Sequence, residues 1–64
     1  MKFRIVLISK GEHVWKFLTP GCELLYVQRY AGGWAVPING EYVHFTTLIE
    51  GLSVYAEDYT WGNA

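Results

Sequence analysis

Asn39-Gly40, flanked by apolar residues, constrains this chain more than any other feature. A two-residue loop of this kind closes a β-hairpin through a type I′ turn. Both central residues take positive φ, which Asn tolerates and Gly adopts freely. The turn sets Ile38 opposite Glu41, Val36 opposite Val43 and Trp34 opposite Phe45. Side chains alternate along a strand, so Trp34, Val36, Ile38, Val43 and Phe45 share one apolar face. Ala35, Pro37, Tyr42, His44 and Thr46 share the other. Pro37 has no N–H, so its strand is predicted to be an edge there or to turn Pro37 outward.

The rest of the chain also reads as short strands between turn signals. Residues 2–9 are β-branched and aromatic and end at Lys10-Gly11. Taken as a two-residue turn, Lys10-Gly11 sets Ser9 opposite Glu12, Leu7 opposite Val14 and Val6 opposite Trp15. A second strand covers 13–18. Thr19-Pro20-Gly21-Cys22 fits a type II turn in which Gly21 supplies the positive φ. Strands at 23–30 and 34–38 follow, separated by Ala31-Gly32-Gly33. Residues 47–51 fit one helical turn, Ser53 to Glu57 a last short strand, and 58–64 a tail carrying Tyr59 and Trp61. The expectation is one all-β domain over 1–64, a small antiparallel barrel or strongly bent sheet of five to six strands.

Gly32-Gly33-Trp34, then Asn39-Gly40, then Phe45-Thr46-Thr47-Leu48-Ile49 resemble the second half of an SH3 domain. That family places a Gly-Trp-Trp strand, a short distal turn and a 3₁₀ turn in this order. In this chain Ala35 replaces the second Trp, Thr46 stands at the Pro of the 3₁₀ turn, and the Ala-Leu-Tyr-Asp-Tyr opening is missing. The resemblance implies an SH3-like architecture. Proline-rich peptide binding is not carried over with it.

Composition removes several function classes. A single cysteine, Cys22, forms no internal disulfide, and with two histidines it provides no structural zinc set. Net charge is −1 with the basic residues scattered, which gives no electrostatic grip on nucleic acid. Cys22 and His44 lack an orienting third group for nucleophilic catalysis. His13 and His44, with Glu12 or Asp58, lack metal-ligand spacing. Adjacent Glu57 and Asp58 would point to opposite faces of a strand. The glycines fall at turns, without a long helix to complete a phosphate loop. Neither an enzyme nor a cofactor or metal is expected. The apolar run Ile5 to Ile8 is too short for a signal-peptide core, and the unpaired cysteine favours a cytoplasmic setting.

The first hairpin carries the functional expectation. Its predicted pairing puts Phe3, Ile5, Leu7, Val14 and Leu18 on one face and Val6, Ile8, Trp15 and Phe17 on the other. Both faces are apolar, and a chain of 64 residues has a single core with which to cover one of them. The second face is left to the tail, a second copy or another protein. Val6, Ile8, Trp15 and Phe17 are therefore the predicted partner-binding residues of a non-catalytic protein–protein interaction module, with a homodimer among its forms. A short chain opening on its own Met also fits a phage or mobile-element accessory protein that binds and inhibits a host factor. The alternative is a binder of single-stranded nucleic acid or of a small aromatic or nucleotide ligand. Tyr26, Tyr30, Tyr42 and Tyr55 would then be stacking candidates.

Overall fold

The computed structural model describes residues 4–62, with side chains described as far as residue 60. Five strands, β1 (Val6–Lys10), β2 (Val14–Leu18), β3 (Leu24–Tyr30), β4 (Gly33–Ile38) and β5 (Glu41–Phe45), are followed by one helix, α1 (Leu48–Gly62). The strands pair antiparallel in sequence order, β1-β2-β3-β4-β5, as an open meander. The fold is mostly β with one helix, and the sheet does not close into a barrel. The expected residues Lys2 and Phe3 of the first strand, and the Trp61 side chain of the tail, lie outside the described part.

The Asn39-Gly40 hairpin has the register its turn dictates: Trp34 pairs with Phe45, Val36 with Val43 and Ile38 with Glu41. Asn39 and Gly40 have φ of 51° and 85°, as a type I′ turn requires. Pro37 marks a break on the other side of β4. Pairing with β3 runs from Tyr30–Gly33 to Gln28–Ala35 and stops. Beyond Ala35, at Pro37, β4 pairs with β5 alone, as a residue without an N–H allows.

Two other turns differ from expectation. In the second loop the Cys22 N–H donates to the Thr19 carbonyl at 3.0 Å, and the Thr19 N–H to the Glu23 carbonyl at 2.9 Å. The positive φ of 61° belongs to Cys22, not Gly21. This is a β-turn followed by a left-handed residue, the common three-residue hairpin loop. A non-glycine residue in that conformation carries strain of about 1–2 kcal/mol. Cys22→Gly is therefore expected to stabilise the fold by about 1 kcal/mol, read as a higher urea midpoint at unchanged slope.

The first hairpin turns later than Lys10-Gly11. Lys10 pairs with Trp15, and the Gly11 N–H donates to the Val14 carbonyl at 3.0 Å, so Glu12-His13 forms the turn. Between Leu7 and Ser9 the register slips by one, with Ile8 as the extra residue of a β-bulge. Val6 consequently faces Leu18, and Leu7 faces Phe17. An odd displacement exchanges the faces of a strand. Val6 thus leaves the face on which Phe17 lies.

Ser53 to Glu57 is not a strand, and 58–62 is not a loose tail: both belong to α1. Thr47 caps the helix, its Oγ1 accepting the Glu50 N–H at 3.2 Å, and Glu50 stands three residues on, where a capping box places its acid. Leu48, Leu52 and Tyr55 recur at helical spacing and pack against the sheet core of Phe17, Leu25, Val27, Val36 and Phe45. Buried Gly51 permits the close approach. A Cβ there would meet Val36 Cγ2 at 2.7 Å and Phe45 Cδ2 at 3.0 Å. At its far end the helix reaches the β2–β3 turn, where Tyr59 lies over Gly21.

Candidate functional site

α1 divides the aromatic residues between two faces. On its side, Trp15 and Trp34 meet edge to face with ring centroids 4.8 Å apart. Lys10 Nζ lies 4.8 Å from the Trp15 ring, and the Arg29 guanidinium 5.2 Å from the Trp34 ring. This cation-bracketed pair seals the end of the core near the helix start. Phe17, 6.4 Å from Trp15, is 4% exposed.

The predicted contact residues are therefore not one patch. Val6 and Ile8 are exposed on the edge strand β1, Trp15 is half-buried, and Phe17 is in the core. The Trp15–Phe17 side of the hairpin is covered by the chain's own packing, so it requires no second copy. The premise that one apolar hairpin face must find an outside cover fails on this side.

Among the described residues no helix lies on the opposite face of the sheet. Alternation on β3 brings Tyr26, Gln28 and Tyr30 to it; on β4, Gly33, Ala35 and Pro37; on β5, Tyr42 and His44. Tyr26, Tyr30 and Tyr42 are 42%, 67% and 54% exposed. The β4 residues are small or flat, so they form the floor of a trough. Its walls are Tyr26 and Tyr30 on one side and Tyr42 and His44 on the other. The trough is bridged at its Gly33 end, where His44 lies over the glycine: a Cβ there would meet its Nε2 at 2.7 Å.

His44 is fixed across this floor. Its Nε2 lies 3.0 Å from the Tyr30 carbonyl oxygen, and its ring meets the Tyr30 ring nearly at right angles, centroids 6.4 Å apart. With Nε2 protonated, the imidazole donates to that carbonyl and leaves Nδ1 free to accept. Lys16 Nζ sits 5.9 Å from the Tyr26 ring on the β2 side. Among the described residues it is the one cation drawn to a ring of this face.

Compared with family models, curated proteins and solved structures, the chain matches none. Its function is therefore argued from the geometry alone.

The remaining chemistry-bearing residues stay apart. Cys22 precedes the first residue of β3, and His44 is bonded to the last, about 20 Å away at 3.3 Å per residue. Among the described residues no three His, Cys, Asp or Glu side chains gather as metal ligands. No helix there is long and apolar enough to cross a membrane.

Tyr55, predicted as a stacking candidate with the other three tyrosines, is on the helix side, its ring 6.0 Å from that of Tyr59. Burial holds its phenol above the ordinary value near 10, and the Glu23 carboxylate adds to the effect. The unfolded chain then ionises first, and stability falls as pH rises through 10 and above. Urea midpoints measured from pH 8 to 11 should decline, and Tyr55→Phe should flatten the decline.

The trough was partly accessible from sequence. The Asn39-Gly40 register already turned Tyr42 and His44 away from the Val36 side. Tyr26 and Tyr30 share their parity, but the run Leu24 to Val27 is apolar at every position and did not reveal which side faced in.

Proposed function

We propose that the protein is a binding module that recognises a partner protein through the tyrosine-walled trough on its helix-free sheet face. One observation carries this reading: Tyr26, Tyr30 and Tyr42 stand exposed together on the face that α1 leaves open. Tyrosines set in secondary structure offer large contact area at small entropic cost, with hydroxyls for directional bonds. Surfaces rich in aromatic residues and poor in charge are typical of interface centres. The pinned His44 adds a polar group of fixed orientation. A module of this kind acts by occupying its partner's surface, which suits an accessory protein that blocks a host factor.

Base stacking on the same tyrosines is the competing reading. It is disfavoured by a net charge of −1 and by Lys16 as the lone cation at these rings among the described residues. A photo-crosslinking amino acid in place of Tyr42 tests the choice. It should attach covalently to one protein of the native host, whereas the same group in place of Glu57 should not. Tyr26→Ser with Tyr30→Ser should abolish the adduct while the circular dichroism spectrum stays that of the folded protein. Attachment to nucleic acid instead, or an adduct that persists in the double variant, would contradict the proposal.

A further inference from the structure

We propose that two copies of this chain join along β5, pairing their edge strands antiparallel about Val43 into one continuous sheet. The pairing does not depend on what the tyrosine trough binds.

β5 ends one side of the sheet, and no described strand pairs with its outer side. The Asn39-Gly40 turn decides which main-chain groups stand free there. In a two-residue hairpin the residues next to the loop, Ile38 and Glu41, form a hydrogen-bonded pair, and bonded pairs then alternate with non-bonded ones. Val36–Val43 and Trp34–Phe45 are therefore bonded pairs, and Pro37–Tyr42 and Ala35–His44 are not. Pro37 fits this pattern, since no ladder bond to β5 is asked of it. The N–H and C=O of Tyr42 and His44 point to the open edge. β5 is also an unguarded edge. It pairs with β4 without a bulge and contains neither Lys nor Pro, whereas β1, the other edge, is interrupted at Ile8.

The register selects a second copy as the occupant. Residues with outward main-chain groups must face one another, and pairing about Val43 sets Tyr42 of each copy opposite His44 of the other. Each such pair exchanges two main-chain bonds, and its rings meet as cross-strand neighbours on the helix-free face. Val43, 39% exposed, meets Val43 of the other copy on the helix side. Glu41 falls opposite Phe45, so no like charges are directly opposed. The two Glu41 stand about 13 Å apart along the strands, beyond the screening length in physiological salt. The helices do not collide. α1 lies more over β4 than over β5, so its two copies stand about three strand spacings apart, roughly 14 Å, against about 8–10 Å for packed helices. Two troughs then lie side by side. His44 of one copy joins the Tyr42 wall of the other, and the tyrosine rings stay on the open face.

The test is sedimentation equilibrium of the whole chain between about 10 µM and about 1 mM, a range suited to an interface of one strand pair. The mass should rise from 7.3 kDa toward twice that value. Val43→Lys puts like charges at the centre of the pairing, so it should hold the mass at one chain while the circular dichroism spectrum stays folded. Val6→Lys, on the other edge, should leave association unchanged. Amide exchange of the unaltered chain reads the register directly. Tyr42 and His44 should exchange about fivefold more slowly at the higher concentration, while the β1 amides do not. That measurement decides the matter even where Val43→Lys fails to fold. A single-chain mass at the higher concentration would overturn the proposal. So would association that survives Val43→Lys or is lost in Val6→Lys, or exchange at Tyr42 and His44 that ignores concentration.

Discussion

Phe17→Ala is expected to lower the urea midpoint of unfolding by roughly half or more. The ring is 4% exposed and packs with Leu25, Val27, Val36 and Phe45. Removing a buried phenylalanine side chain costs about 3–5 kcal/mol, the lost transfer energy plus the cavity left behind. A chain of this length has a total stability of about 3–10 kcal/mol. The substitution therefore removes roughly half of it or more. Urea unfolding followed by circular dichroism measures the loss. The result also separates two roles for Phe17. If it were a contact residue on an exposed hairpin face, the variant would keep its midpoint and lose only partner binding.

Gly51→Leu should have an effect nearly as large, by another route. Val36 is fully buried, and the Phe45 ring closes the other side of the space at Gly51. Neither can move away from a side chain whose first carbon would already lie 2.7 Å from Val36 Cγ2. The helix must lift from β4 and β5, exposing Val36 and Phe45 to water. Overpacking of this kind costs about 1–3 kcal/mol, and a larger value is expected because helix docking forms one side of the core. A melting temperature lower by roughly 10–20 °C would follow. Amide exchange should rise along α1 before it rises in β4 and β5. An unchanged melting temperature would mean that α1 does not pack on the sheet through Gly51.

The same residues show why the sequence revealed one part of the fold and hid another. Asn39-Gly40 specifies its turn by backbone chemistry alone, so the β4–β5 register and the outward side of Tyr42 could be read directly. Lys10-Gly11 looked like a comparable signal. The turn lies instead at Glu12-His13, and a bulge at Ile8 then slips the register by one within β1. A bulge leaves no local mark in a run of apolar residues, and its one-residue slip reversed the face assigned to Val6.

The helix was hidden by composition. Gly51, Ser53, Val54 and Tyr55 are weak helix formers, and Val54-Tyr55 favours a strand. Two signals nevertheless pointed to a helix. Thr47 is followed by Glu50 in capping-box spacing, and Leu48, Leu52, Tyr55 and Tyr59 fall at intervals of three to four. Gly51, which reads as a breaker, is the residue that lets the helix approach the sheet. Missing α1 had a direct consequence for the site. Without it, Trp15 and Phe17 looked uncovered, and the tyrosines could not be sorted between the two sides of the sheet.

That sorting is the central claim, and graded nitration of the native protein followed by peptide mass spectrometry tests it most directly. Tyr26, Tyr30 and Tyr42 should be modified together and early, while Tyr55 and Tyr59 lag until the protein is unfolded in urea. Modification of Tyr55 as fast as Tyr30, or protection of Tyr42 in the isolated chain, would contradict a helix-free face walled by these three rings.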